Sequence, residues 1–208
     1  MNQNSPFRFR VPVLFLILFQ LSFSQGKLTD NSIYLIARGT KSKQFLIGEK
    51  FNTSIKSITH IGIGYRENDS LKIFNVSLNK KVNNSSLIIE SWGEFTILSD
   101  VFYVGVWELK CGKEKVEQIK LLLNDYLKTP IEFDNRFNIE DNDKLYCSEF
   151  VAKVLNQAAV FDFRPQRKEV TTLLKNVTDK DVFLYYPVDF FIQDCEFTQI
   201  YEFISDIK

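Results

Sequence analysis

Histidine is almost absent from this 208-residue chain; the single one is His60. Cysteine is scarce too, with Cys111, Cys147 and Cys195 and no CxxC spacing. A zinc centre needs clustered Cys and His ligands, so no metal is expected. Neither GxGxxG nor GxxxxGK[ST] occurs, which excludes the usual nucleotide loops and leaves no cofactor to expect. A G-x-S-x-G elbow is also missing, which argues against a serine hydrolase. Net charge is missing as well: 26 Lys and Arg balance 26 Asp and Glu. Nucleic acid and polybasic membrane contacts require clustered positive charge, so neither partner is expected. No internal repeat, low-complexity tract or Pro/Gly/Ser-rich linker interrupts the chain, as befits one domain.

The N-terminus stands apart. Arg8 and Arg10 form a short basic region, Val11 to Phe19 an apolar run, and Ser22-Phe23-Ser24 places small residues before Gln25. This is the pattern of a secretory signal peptide over residues 1–24, leaving a domain of 25–208. The apolar run is too short to cross a hydrocarbon core of about 30 Å, which takes roughly 20 residues. No second long apolar segment follows, so no membrane span is expected, and no Cys follows the run to carry a lipid anchor. The expected location is secreted or periplasmic. There, disulfides persist; Cys111 and Cys195 are one possible pair that leaves Cys147 free, although spacing cannot fix connectivity.

The first half reads as β-structure. Ile33–Arg38, Ile58–Tyr65, Leu71–Val76, Leu87–Trp92 and Phe102–Leu109 are short runs rich in β-branched and aromatic residues. Helical spacing follows over Lys113–Lys128, stopped by Pro130, and over Cys147–Ala158. A late strand is expected at Val182–Tyr186, before Pro187. Strands followed by helices predict an α+β fold.

His60 lies in the second run. Alternation puts it on one face with Gly62 and Gly64, while Ile61, Ile63 and Tyr65 take the other. Glycine inside a strand often marks close approach by a ligand or another backbone. Cys147 opens a strongly amphipathic helix, where the positive end of the macrodipole is expected to stabilise its thiolate and depress its pKa. A thiol hydrolase needs such a thiolate and a base, and His suits neutral pH. Glu90, on the face of Ile88 and Trp92, is the candidate to orient the imidazole. Tyr146 is a candidate oxyanion donor. Glu149 is expected to complement the helix N-terminus, and Asp134 and Asp143 to serve turns or caps. Asn52 and Asn75 fall in Asn-x-Ser/Thr triplets that chance explains.

Together these segments resemble a known family. Thr-His-Ile-Gly-Ile-Gly at 59–64, Ile-Glu at 89–90 and Leu-Tyr-Cys-Ser-Glu-Phe at 145–150 resemble the permuted papain-like amidases of the YiiX/YaeF type, distant relatives of NlpC-type cell-wall hydrolases. Phe133–Phe137 and Tyr186-Pro187-Val188-Asp189 extend the resemblance. It departs at Asp30-Asn31-Ser32, where the family opens with Gly-Asp, and at Phe150. The resemblance implies a circularly permuted papain-like core, a small antiparallel sheet packed against the nucleophile helix. It further implies Cys147 as nucleophile, His60 as base and, less closely matched, Glu90 as the acidic position. The expected activity is cleavage of an amide through a thioester, on a small peptide, amide or acyl substrate that includes the peptide stem of peptidoglycan. Two rival expectations are an acyltransferase or lipid hydrolase on the same fold, and a non-catalytic binding protein on a degenerate scaffold. Specificity is expected from the loops 39–57 and 162–178.

Overall fold

The computed structural model describes residues 28–41, 50–78, 83–169 and 182–205. The expected signal peptide lies outside them, as do parts of both expected specificity loops. The described elements are β1 (Ile33–Thr40), β2 (His60–Glu67), β3 (Ser70–Val76), β4 (Leu87–Glu90), α1 (Trp92–Thr96), β5 (Val101–Leu109), α2 (Lys113–Tyr126), β6 (Glu132–Phe133), β7 (Lys144–Leu145), α3 (Cys147–Gln157), β8 (Gln166–Glu169), β9 (Val182–Tyr185) and β10 (Phe197–Ile204). Six of the strands form one antiparallel sheet in the order β10-β5-β1-β2-β3-β4. The α+β expectation therefore holds.

Both faces of this sheet are covered, which explains why β1 reads as an unbroken apolar run. Ile33, Leu35 and Ala37 face one way, packed with Ile61, Ile63 and Phe74 against α2 and α3. Tyr34 and Ile36 face the other way with Ile73, Val104 and Val106, under Trp92 and Phe95 of α1. On α3, Phe150, Val151, Val154 and Leu155 are fully buried, as the 3.6-residue period requires. A two-residue turn joins β2 to β3, with Asn68 and Asp69 both at positive φ (49° and 61°). Asn and Asp tolerate that conformation, and it matches the twist of the flanking strands.

One expectation needs correction, and one strand went unexpected. The run Leu87–Trp92 is not one strand: β4 ends at Glu90, and Ser91 caps α1, with the Glu94 side chain bonded back to the Ser91 backbone. This capping box satisfies amide groups that a continuing strand would have paired. The edge strand β10 had no counterpart in the periodicity reading.

Candidate functional site

The six-stranded sheet is unzipped at one corner. The β2–β3 ladder runs from Ile63↔Phe74 to Glu67↔Ser70, so His60, Ile61 and Gly62 have no β3 partner. Asn75 and Val76 instead pair only with β4. Side chains from three strands meet here. His60 Nε2 lies 3.0 Å from Asn75 Oδ1, and Asn75 Nδ2 donates to Glu90 Oε2 at 2.9 Å. All three residues are buried. A carboxylate only accepts, so Glu90 fixes the amide nitrogen of Asn75 towards itself and turns Oδ1 to the imidazole. Nε2 of His60 then carries the proton, and Nδ1 keeps its lone pair. Glu90 thus bears on the orientation of the ring through Asn75. Asn75 is the residue that sequence reasoning missed, filed there under a chance glycosylation triplet. Its signal was a lone amide inside the apolar strand Ile73-Phe74-Asn75-Val76.

Gly62 makes the arrangement possible. A Cβ there would lie 2.6 Å from Ile73 Cγ2, 3.0 Å from the Phe74 carbonyl and 3.3 Å from Asn75 Cβ. The close approach expected of this glycine is that of β3, carrying Asn75.

Cys147 is the first residue of α3. Tyr146 provides the N-cap without a side-chain cap bond, so the first-turn N–H groups are free for another acceptor. The backbone amides of Ile61, Ser148 and Cys147 itself favour a negative charge on Sγ. The Ile61 amide is one that β3 leaves unclaimed, and Ile61 follows His60 directly. The thiol is 8% exposed, as is His60. Burial pushes the Cys147 pKa up, and the three N–H groups and the Arg38 charge only partly offset it. The expected depression is therefore reversed: the helix N-terminus acts as foreseen, but desolvation is larger. His60 moves the other way, down to about 3, through burial first and the Arg38 charge second, with Asn75 opposing. Thiol and imidazole both rest neutral.

The residues flanking Cys147 serve as a clamp. The Ser148 hydroxyl donates to the Tyr186 carbonyl at 2.8 Å, and the Tyr186 N–H donates to the Tyr146 hydroxyl at 2.8 Å. One backbone unit is thereby gripped from both sides of the nucleophile position. The Tyr146 hydroxyl, the candidate oxyanion donor, accepts here from the Tyr186 N–H and keeps its own proton to donate. Glu149 is fully buried and pairs with Lys153 Nζ at 2.9 Å. Burial raises its pKa to about 7, Lys153 acting against the shift. The expected Asp134 turn is present, with its carboxylate accepting from the Arg136 and Asn138 N–H groups.

Asp189 is a second positioning residue missed from sequence. Its carboxylate accepts the N–H groups of Thr53, Ser54 and Ile55, and so fixes the segment leading into His60. Beside Tyr146, whose ring meets Phe137 at 5.0 Å, a cavity of about 480 Å³ opens between Phe137, Ile139, Arg167 and Phe183. Cys111 and Cys195 are free thiols, as is Cys147.

The fold and this corner define an α+β protein whose sheet carries a His–Asn–Glu chain and whose packed helix α3 opens on a cysteine. No family model matches the chain, and no curated protein does. Among solved structures, the crystal structure of metalloprotein yiiX (DUF1105) from Escherichia coli O157:H7 is similar, with a TM-score of 0.61 at 15% identity. The match covers 84% of this chain and 98% of that one. The likeness is one of fold.

Proposed function

We propose that this protein is an exported thiol hydrolase that cleaves an amide bond, built on a permuted papain-like core. What supports the reading is the oriented His60–Asn75–Glu90 chain together with a cysteine at the start of α3 whose thiolate the Ile61 amide favours. In this reading Nδ1 of His60 takes the thiol proton as Sγ bonds to the substrate carbonyl carbon. The imidazolium then gives that proton to the leaving nitrogen, the C–N bond breaks, and a thioester remains. Water, deprotonated by Nδ1, attacks the thioester, and the released thiolate is reprotonated. N–H groups at the start of α3 are the donors assigned to the developing oxyanion. Tyr146 is assigned to positioning Tyr186.

The neighbour in fold is described as a metalloprotein. Among the described residues of this chain, no three His, Cys, Asp or Glu side chains converge as metal ligands. No step is therefore routed through a metal. Among the described residues no helix is long and apolar enough to cross a membrane. Export would bring the enzyme to cell-envelope substrates such as peptide stems, a step that rests on the signal-like N-terminus alone.

The test is capture of the acyl-enzyme. An activated acyl ester or short peptide amide should add its acyl mass to the Cys147 peptide, detected by mass spectrometry. Cys147→Ser should lose the adduct and turnover by about 10³-fold or more while keeping its fold. Turnover retained in that variant would refute the assignment.

A further inference from the structure

A positive charge flanks this corner on a residue that neither the mechanism nor the sequence reading uses. Arg38 lies directly across the β1–β2 ladder from His60. Its guanidinium sits 4.5 Å over the Phe95 ring, which also packs on the His60 imidazole at 5.7 Å. Nη1 donates to the Phe95 carbonyl at 2.8 Å, while Nε is buried without a hydrogen-bond partner. A half-buried cation so lightly bonded has a field that its neighbours feel. Those neighbours are Cys147 on α3, His60 on β2, and the carboxylates of Glu90 on β4 and Asp100 before β5.

We propose that Arg38 supplies the permanent positive charge of the site, stabilising the anion formed on Cys147 and driving the proton from His60 towards the leaving nitrogen. It is a positioning residue for charge, and the proposal rests on the thiol-hydrolase reading. In many thiol sites the imidazolium stabilises the thiolate. Here the cation is separate and cannot be titrated away, because guanidinium stays protonated. His60 can then hold a proton only briefly, which makes it a strong acid at the moment the amine must depart. Glu90 and Asp100 offset part of the field but stand on other strands and loops.

His60 is the chain's only histidine, so one imidazole resonance reports on it. The experiment follows that resonance by NMR and Cys147 alkylation by iodoacetamide, both across pH, in the full protein and in Arg38→Lys, Arg38→Met and Arg38→Gln. The Gln variant keeps a donor for the Phe95 carbonyl and guards against misfolding. In Met and Gln variants the imidazole midpoint should rise, and the alkylation midpoint should rise also, each by about one pH unit or more. The Lys variant should stay near wild type in both. Unmoved midpoints in a folded neutral variant would overturn the role of Arg38, as would a wild-type imidazole titrating near its ordinary 6.5. If neither neutral variant folds, a folded Lys variant with both midpoints displaced would overturn it. A wild type whose Cys147 resists alkylation at every pH would instead overturn the hydrolase reading.

Discussion

Glu149 is a carboxyl group buried without exposure, relieved only in part by the Lys153 ammonium. Its pKa is about 7 in the folded chain against 4.5 when exposed. The unfolded chain therefore loses its proton first as pH rises. Stability drains away between about pH 4.5 and 7 and stays lower above that, by on the order of 3 kcal/mol. Glu149→Gln removes this penalty. Thermal unfolding at pH 4 should find the two proteins close, and at pH 8 should find the Gln variant more stable. A wild type that equals or exceeds it at pH 8 would contradict the raised pKa. Asn75→Ala makes a different test. It leaves His60 Nε2–H and Glu90 without the amide between them, a loss of about 1–3 kcal/mol of orientation and pairing. Turnover should fall by about 10- to 100-fold while Cys147 stays open to alkylation. Asn75 showed in the sequence only as a lone amide in an apolar run, because its partners His60 and Glu90 stand on other strands.

At the scale of elements, the site depends on the segment that enters β2. Asp189 holds three consecutive amides there, and Asn52 adds bonds to the Ile55 and Ile58 carbonyls and takes the Val188 N–H. Asp189→Ala would orphan those amides and cost on the order of 3 kcal/mol, visible as a lower urea midpoint. Asp189→Asn, which keeps one oxygen acceptor, should lose less. Equal losses would show that the carboxylate does not hold the segment. The strands β1, β2, β3 and β5 and the helices α2 and α3 were legible because each buries a continuous face and so writes its period into the chain. The edge strand β10 was not. Its run Phe-Thr-Gln-Ile-Tyr-Glu-Phe-Ile changes register at a bulge between Gln199 and Tyr201, which breaks the alternation, and most of its side chains remain partly exposed. The short helix α1 hid behind an apolar strand, and only the Ser91–Glu94 box betrays it.

At the scale of the whole molecule, the sheet keeps a neutral imidazole in its interior. Protonation is favoured in the unfolded chain, at about 6.5, over the folded one, at about 3. The folded state therefore has this stability in full above about pH 6.5 and loses it as pH falls towards 3, by a few kcal/mol. Urea titrations of wild type and His60→Gln should diverge over that window, the variant losing less on acidification. Parallel curves would mean that the imidazole titrates normally. Cys147 and His60 stood out as candidates because each lies in a short motif. Their neutrality did not, because it arises from desolvation that only the packed molecule creates.

The unzipped corner between β2 and β3 also turns one peptide group into a gauge. Ile61 has no β3 partner, and its amide favours charge on the Cys147 sulfur. A charged acceptor draws a donor closer and strengthens the bond. The Ile61 proton should therefore shift downfield as Cys147 ionises and return upfield on acylation. One backbone resonance would then read the state of the nucleophile in real time, in solution and without any chromophore.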